Sequence, residues 1–169
     1  MESNRLIIRR FTNNDFQDFS NLICDKMNSK YSVYDEQFPT DHESLKGILS
    51  FLQDSEDFWA IELKSAKRII GFVSLNYVDE QTRNLGYCIH TEYQDNGFAS
   101  EVVVEIIRYA REMLKIHKLI SGTAEENEPS VKLLRKTGFT LVDKHKGSFV
   151  NDKQGNPIIF TGCSFEYIF

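Results

Sequence analysis

The apolar positions change period several times along the chain, and each change predicts an element. Arg5–Phe11 (RLIIRRF) is rich in β-branched residues and predicts a first strand. Thr12, with Asp15 three residues on, resembles a capping box carrying Asp in place of Glu. Phe16, Phe19, Leu22 and Ile23 then recur at helical spacing. Residues 28–40 mix Tyr, Phe, acids and one Pro without a clear period, and read as a loop or irregular helix. Asp41 is placed to cap a second helix with Leu45, Ile48, Leu49 and Leu52 on one face.

Three strands follow in the pattern: Phe58–Leu63, Ile69–Val78 and Asn84–His90. Short polar segments separate them, so antiparallel hairpins are the economical connection. Gly97–Lys115 carries a long helical set: Phe98, Val102, Val103, Ile106, Tyr109, Ala110, Met113 and Leu114. Lys118–Ala124 reads as a strand and Pro129–Thr137 as a short helix stopped by Gly138. Phe139–Lys144 and Ile158–Phe169 read as closing strands. The strand–helix–strand unit around residues 84–124 implies a parallel pair with a right-handed crossover. The expectation is an α/β (α+β) single domain over residues 1–169. Its mixed, mostly antiparallel sheet has about seven strands, flanked by about four helices.

Composition narrows the function classes. The chain has 169 residues, 41% apolar and 27% charged, as expected of a globular domain, and its 13 Phe against one Trp predict a Phe-rich core. A formal net charge of −5 lacks the electrostatic footprint of a general nucleic-acid binder and mildly favours a cationic or amine-bearing partner. Cys24, Cys88 and Cys163 show no CxxC spacing, which fits a reduced, cytoplasmic setting. The opening MESNRLIIRRFTNND has no apolar run long enough for a signal peptide, and no stretch is apolar over the ~18 residues that span a membrane. Neither a membrane nor a nucleic-acid partner is expected.

The stretch Leu85–Val103 (LGYCIHTEYQDNGFASEVV) carries chemistry. A strand ends near His90, a polar loop follows, and a helix opens around Gly97 beside the small residues Ala99 and Ser100. The first turn of a helix has unpaired N–H groups and a partial positive charge, and glycine lets a bulky anion approach, so this is a ready phosphate site. The strict GxGxxG fingerprint and the Lys-Ser/Thr ending of a P-loop are both absent, against a dinucleotide or nucleoside triphosphate.

Gln94-Asp95-Asn96-Gly97-Phe98-Ala99 resembles the Q/R-x-x-G-x-G/A motif of the GNAT superfamily of acetyl-CoA-dependent N-acetyltransferases. Thirty residues downstream, Asn127 to Phe139 is similar to that family's N-x-x-S…GF segment. The element order matches the GNAT-like fold from end to end. The ribosomal-protein N-terminal acetyltransferase subfamily is the one most resembled. The resemblance implies that Gln94, Asn96, Gly97, Phe98, Ala99 and Ser100 hold the CoA pyrophosphate. It further implies that the backbone of Tyr87 and Ile89 pairs with the pantetheine arm and polarises the thioester carbonyl, and that Asn127 contacts the pantetheine end. Acetyl-CoA is the implied cosubstrate, with an amine acceptor that is a protein N-terminus, a polyamine, an amino sugar or another small amine. Homodimers are frequent in resembling proteins.

Many relatives carry a Tyr as general acid seven residues after the Asn, where this chain has Leu134; Ser130, three residues after it, is nominated instead. Asp79, Glu80, Glu126 and His90 are candidate general bases, and an empty slot is an alternative. Each has a plainer reading: Asn127 as a helix cap, Ser130 as a first-turn serine, His90 as a structural or solvated side chain. Cys88 is expected to behave as a small apolar residue, and no histidine shows metal-ligand spacing. Tyr31, Tyr34 and Phe38, with Asp35 and Glu36, are expected to flank the acceptor channel. The competing function is a non-catalytic acyl-CoA-binding module of the same fold.

Overall fold

The alternation and helical periods of the chain become seven strands in one sheet, ordered β1-β2-β3-β4-β5-β7-β6. The computed structural model describes residues 1–169. The strands are β1 (Leu6–Arg9), β2 (Phe58–Leu63), β3 (Arg68–Asp79), β4 (Thr82–Ile89), β5 (Lys118–Ala124), β6 (Thr140–Gly147) and β7 (Phe160–Ile168). The helices are α1 (Phe16–Asn28), α2 (His42–Asp54), α3 (Phe98–Tyr109) and α4 (Glu128–Lys136). All strand pairs are antiparallel except β4 with β5, as the crossover pattern predicts. Of residues 28–40, Asn28 ends α1 and the rest form a loop with one 3-10 turn at Ser32–Tyr34. The long third helix ends differently from its prediction, because Ala110–Leu114 widens into a π-turn that closes on Lys115 in a left-handed conformation.

Both faces of the sheet are covered. Trp59, Ile61, Val73, Leu75, Leu85 and Ile89 point to one face, where Val102, Val103 and Ile106 of α3 and Leu134 of α4 close over them. On the other face Phe19 and Ile23 of α1 and Leu45, Leu49 and Leu52 of α2 pack on Ala60 and Ile69. A β-bulge helps both faces to fill. Ile61 pairs Gly71 and Glu62 pairs Ile69, leaving Ile70 as the extra residue on β3. The bulge turns Ile70 toward Val73 and Leu75, while Ile69 joins the α1–α2 layer.

The start of α1 is fixed by a buried carboxylate. Asp15 is 5% exposed, and it accepts a bidentate pair of hydrogen bonds from Arg9 at 2.8 Å each and one from the Thr12 N–H at 2.7 Å. Arg9 also donates through Nε to Glu62 at 2.6 Å, which ties β1, β2 and the α1 entrance together. Burial pushes the Asp15 carboxyl up, but the Arg9 guanidinium and the Thr12 donors outweigh it and hold the carboxyl below its ordinary range.

The parallel ladder between β4 and β5 is short. It pairs Thr82 with Lys118, Arg83 with Leu119 and Asn84 with Ile120, and then stops. The next carbonyl on that edge, Leu85 C=O, accepts the buried Ser121 hydroxyl at 2.9 Å. A side chain thus takes over from the backbone where the strands part, and no buried acceptor is orphaned at the apex of the wedge. No helix is long and apolar enough to cross a membrane.

Two stability predictions follow from these contacts. Ser121→Ala strands the Leu85 carbonyl and costs about 1–3 kcal/mol in denaturant unfolding. Asp15→Asn costs about 3 kcal/mol at neutral pH, because it leaves Arg9 short of one of its two carboxylates. Because the Asp15 carboxyl is lowered in the fold, its contribution is complete above its unfolded value of about 3.9 and fades as pH falls through the lower folded value. Calorimetric melting temperatures of the parent and Asp15→Asn proteins should therefore converge in strong acid.

Candidate active site

The wedge between β4 and β5 opens into a cavity of about 570 Å³. Asn84–Ile89 form one side and Ser121–Ala124 the other, with Gly97–Ser100 at the start of α3 and Asn127 and Ser130 at the start of α4. Strand geometry sets which backbone groups face it. The His90 N–H donates to Ile70 C=O on β3 at 2.9 Å. Hydrogen-bonding sides alternate along a strand, so the amide groups of Leu85, Tyr87 and Ile89 face away from β3, into the wedge. The carbonyls of Leu85 and Ile89 are already taken, by Ser121 Oγ and by Gln94 Nε2 at 2.8 Å. Beyond Asn84, β5 offers β4 no ladder partner, so the remaining groups on this edge face the cavity.

The loop before α3 leaves the first N–H groups of the helix open at the cavity. Gln94 reaches back to β4, and Asp95 and Gly97 both take positive φ, 60° and 79°. Gly97 is the N-cap, and the first helical hydrogen bond runs from the Glu101 N–H to its carbonyl at 3.1 Å. The N–H groups of Phe98, Ala99 and Ser100 precede that bond and have no intrahelical partner. Arg5 braces the loop from behind. It donates to Asn96 C=O at 3.0 Å and to Glu101 at 2.8 Å, and its guanidinium lies 4.3 Å from the Phe98 ring centre. Glu101 also accepts from Ser3 Oγ at 2.6 Å and the Arg5 N–H at 2.8 Å. Burial would raise the Glu101 carboxyl, and these donors bring it below its ordinary range.

At the other end of the wedge, Asn127 caps α4 by accepting the Ser130 N–H at 3.4 Å. Ser130 Oγ lies 2.8 Å from the Tyr87 hydroxyl, which arrives from β4. Burial pushes the Tyr87 phenol up to about 12, against the opposing effect of the Ser130 hydrogen bond. The phenol is therefore protonated across the physiological range. Gly138 at φ 98° ends α4 in a Schellman motif: the Phe139 N–H donates to Leu134 C=O at 2.9 Å and the Gly138 N–H to Arg135 C=O at 3.2 Å.

Of the residues singled out in the sequence, Tyr87, Ile89, Gln94, Gly97, Phe98, Ala99, Ser100, Asn127 and Ser130 line this one cavity. Asn96 does not. Its side chain folds onto the Gln94 carbonyl at 2.8 Å and shapes the turn from outside. Among the base candidates, Asp79 and Glu80 sit at the β3–β4 turn, remote from the wedge. His90 Nδ1 caps the turn at Glu92, and Glu126 accepts the Thr161 N–H at 3.4 Å; none of the four lines the main cavity. Tyr31, Tyr34 and Asp35 do line its outer end, whereas Phe38 packs into the α1–α2 layer and Glu36 is exposed. Cys88 lines the cavity rather than filling a core, and burial pushes its thiol up to about 12.

The outer wall also holds residues that sequence reasoning passed over: Asp25, Lys26, His145, Phe149 and Phe160. Phe149 stacks on Phe160 at 5.4 Å, and Tyr34 meets Phe160 edge-on at 5.9 Å. Lys26 is nearly buried and pairs with Asp35 at 2.7 Å, while Asp25 accepts the Thr91 N–H at 2.8 Å. No group of three or more His, Cys, Asp or Glu is arranged to hold a metal ion. Alternation along β4 signalled the Tyr87 hydroxyl; His145 and Phe160 depend on strand register, and Asp25 and Lys26 on α1 and Phe149 between β6 and β7 reach the site through tertiary packing.

Comparison with known proteins bears on this arrangement. Residues 5–140 match the acetyltransferase (GNAT) domain family. YoaA of Bacillus subtilis (strain 168), described as an uncharacterized N-acetyltransferase, is 30% identical over 149 residues, covering 82% of this chain and 81% of YoaA. The crystal structure of spermidine N-acetyltransferase from Vibrio cholerae, in complex with CoA and spermine, superposes with a TM-score of 0.79 at 20% identity, over 97% of this chain and 95% of that one. The ribosomal-protein-S5-alanine acetyltransferase of Vibrio fischeri gives a TM-score of 0.82 at 18% identity, over 99% and 95%. With the parted strands, the glycine-opened helix and the matching family pattern all in one chain, this protein belongs to the GNAT family of acetyltransferases.

Proposed function

We propose that the protein transfers an acetyl group from acetyl-CoA to a primary amine, by direct attack while both substrates are bound. One observation carries this reading. A single cavity runs from the unpaired N–H groups at the start of α3, along the free edge of β4, to the Tyr87–Ser130 hydroxyl pair.

The helix terminus at Gly97–Ser100 suits a diphosphate, both by its N–H donors and by its partial positive charge. The free edge of β4 at Tyr87 and Ile89 is suited to an extended amide-bearing arm, which would add to the sheet as a short extra strand. Fixed backbone donors there face the position where the thioester oxygen gains negative charge. Asn127 and Ser130 then lie at the thiol end. The Tyr87 and Ser130 hydroxyls lie 2.8 Å apart and either can donate; with the protonated phenol as donor, the serine O–H is free to donate to the departing thiolate. The nominated acid is thus half of a hydroxyl relay.

The acceptor enters from the outer end, past Tyr31, Tyr34 and Phe160. Aromatic faces beside carboxylates suit a cationic amine. The named activities of the two structural neighbours, on spermidine and on a ribosomal-protein alanine, are both transfers to primary amines. The ribosomal-protein resemblance of the sequence keeps a peptide α-amine among the acceptors. The three free cysteines suit a reducing, cytoplasmic setting.

Substitutions at the two ends of the cavity separate binding from chemistry. Gly97→Ala imposes left-handed strain of about 1–2 kcal/mol and should weaken acetyl-CoA binding about 10-fold. Gly97→Glu adds the same strain and sets a carboxylate beside the bracing Arg5 guanidinium, 3.6 Å from the Cβ position, and should weaken binding about 10-fold or more in calorimetry; unchanged affinity in both variants would remove the anion-site assignment. Ser130→Ala and Tyr87→Phe should each lower kcat about 10- to 100-fold, the worth of a hydrogen bond to a charged group. Their acetyl-CoA affinity should stay near that of the parent. Full turnover by Ser130→Ala, measured as thiol release across an amine panel, would leave the relay without a role.

A further inference from the structure

The cavity wall contains one imidazole, and its surroundings give it a direction. His145 lies on β6 directly across from Gly162 of β7, and both residues line the cavity. A side chain at position 162 would collide with the ring: a Cβ built there stands 2.5 Å from His145 Nε2 and 2.8 Å from Cε1. The bare glycine is therefore what lets the imidazole lie across β7 toward the wedge. The opposite edge of the ring faces Asp143, two residues earlier on the same strand, with Nδ1 3.5 Å from Oδ2. The two side chains are more than half exposed and make no hydrogen bond, so the carboxylate places a negative charge beside Nδ1 while Nε2 lies on the Gly162 side.

The other titratable groups of the wall are engaged or protonated. Asp25 accepts two hydrogen bonds from Thr91, and Asp35 is paired with Lys26. Tyr87, Cys88 and Cys163 are all raised by burial. Asp95 belongs to the anion loop at the opposite end. We propose that His145 is the general base of the transfer reaction and that Asp143 is its positioning residue, an inference that rests on the acetyl-transfer reading above.

An ammonium acceptor must lose two protons to become an amide. His145 Nε2 takes one and passes it to solvent, which exposes the nitrogen lone pair. That pair forms the new N–C bond as the carbonyl π electrons move onto oxygen. Collapse breaks the C–S bond. Having released the first proton to solvent, His145 takes the second from the nitrogen as the C–S bond breaks; the departing sulfur takes a proton from Ser130, Ser130 takes one from Tyr87, and solvent returns one to Tyr87. The charged groups around this corner are Asp143 on β6, the Glu125–Lys144 pair, Lys146 held on Thr161 Oγ1, Glu126 at the Thr161 N–H, and Cys163 on β7.

The test is the pH dependence of kcat/KM for parent, His145→Gln, His145→Ala and Asp143→Asn proteins. It uses the amine that releases thiol fastest from acetyl-CoA in a panel of polyamines, amino sugars and short peptides. Both His145 variants should lose about 100-fold at neutral pH. The loss should shrink toward pH 10, where an alkylamine sheds its own proton. Asp143→Asn should lose less, in kcat rather than in KM, and its loss should likewise shrink toward pH 10. Acetyl-CoA affinity and melting temperature should match the parent in all three. Parent-like profiles in the His145 variants, or a loss that stays constant with pH, would overturn the assignment of the base and leave the transferase reading standing. A parent protein that binds acetyl-CoA but releases no thiol with any amine would overturn the transferase reading and this inference together.

Discussion

The site depends on the point where β4 and β5 stop being neighbours. Three residue pairs hold them together, and at the fourth position a serine hydroxyl satisfies the carbonyl that a continuing ladder would have claimed. Everything chemical lies beyond that point. A closed ladder would have used the edge of β4 for sheet hydrogen bonds and filled the space with side chains. Parting the strands leaves a backbone edge that a bound molecule can complete, without an unsatisfied buried group at the apex. The two helices that follow the parted strands, α3 after β4 and α4 after β5, then both begin at the open mouth. The anion site and the hydroxyl pair therefore share one cavity as a consequence of topology.

The two ends of that cavity are built differently. The anion end is held from behind by Arg5 and Glu101, whose contacts tie the start of β1 to the first turn of α3. The thiol end rests on α4, which is capped by Asn127 at its start and closed by the Gly138 Schellman motif, with Leu134 and Phe139 buried in the main core. The acceptor end is lined by the loop after α1 and the segment around Phe149 and Phe160, joined by ring contacts between Tyr34, Phe160 and Phe149. Ring contacts of this kind leave more freedom of shape than caps and ion pairs do. A shared coenzyme-type ligand needs a fixed seat, whereas the acceptor surface is where one member of a family departs from another.

Much of this was legible in the chain because it is local. The strand runs, the Asp41 cap, the helix opening at Gly97 and the stop at Gly138 all depend on residues a few positions apart, and the structure keeps each of them. The π-turn at Ala110–Leu114 and the bulge at Ile70 left no period change long enough to read. The Tyr87–Ser130 contact spans 43 residues, and the His145–Gly162 contact depends on the register of β6 against β7. Such pairs follow from sheet order, which periodicity does not encode. The same reason sets the base candidates outside the cavity lining. Asp79 and Glu80 are acidic and close in sequence to β4, but an antiparallel hairpin puts its turn at the opposite end of the strand from the loop at Gln94.

Under the proposed acetyl transfer, the position of Leu134 directs the acid role to two other elements. Leu134 is fully buried in the main core and supplies the carbonyl that closes the Schellman motif, so its side of α4 faces the sheet interior. A leucine there adds core packing and brings no hydroxyl. Ser130 is one helical turn earlier, at the mouth, where its own side chain is too short and too weak an acid to serve well alone. In that proposal Tyr87 supports the serine, since its phenol reaches Ser130 from β4 at 2.8 Å and burial keeps it protonated. The same burial argues against a covalent detour through Cys88. A thiol held near 12 has almost no thiolate at neutral pH, and only the thiolate attacks a thioester at a useful rate. Within the acetyl-transfer proposal both observations favour direct attack by the amine: a hydroxyl pair stands in the cavity, and its Cys88 thiol is held protonated.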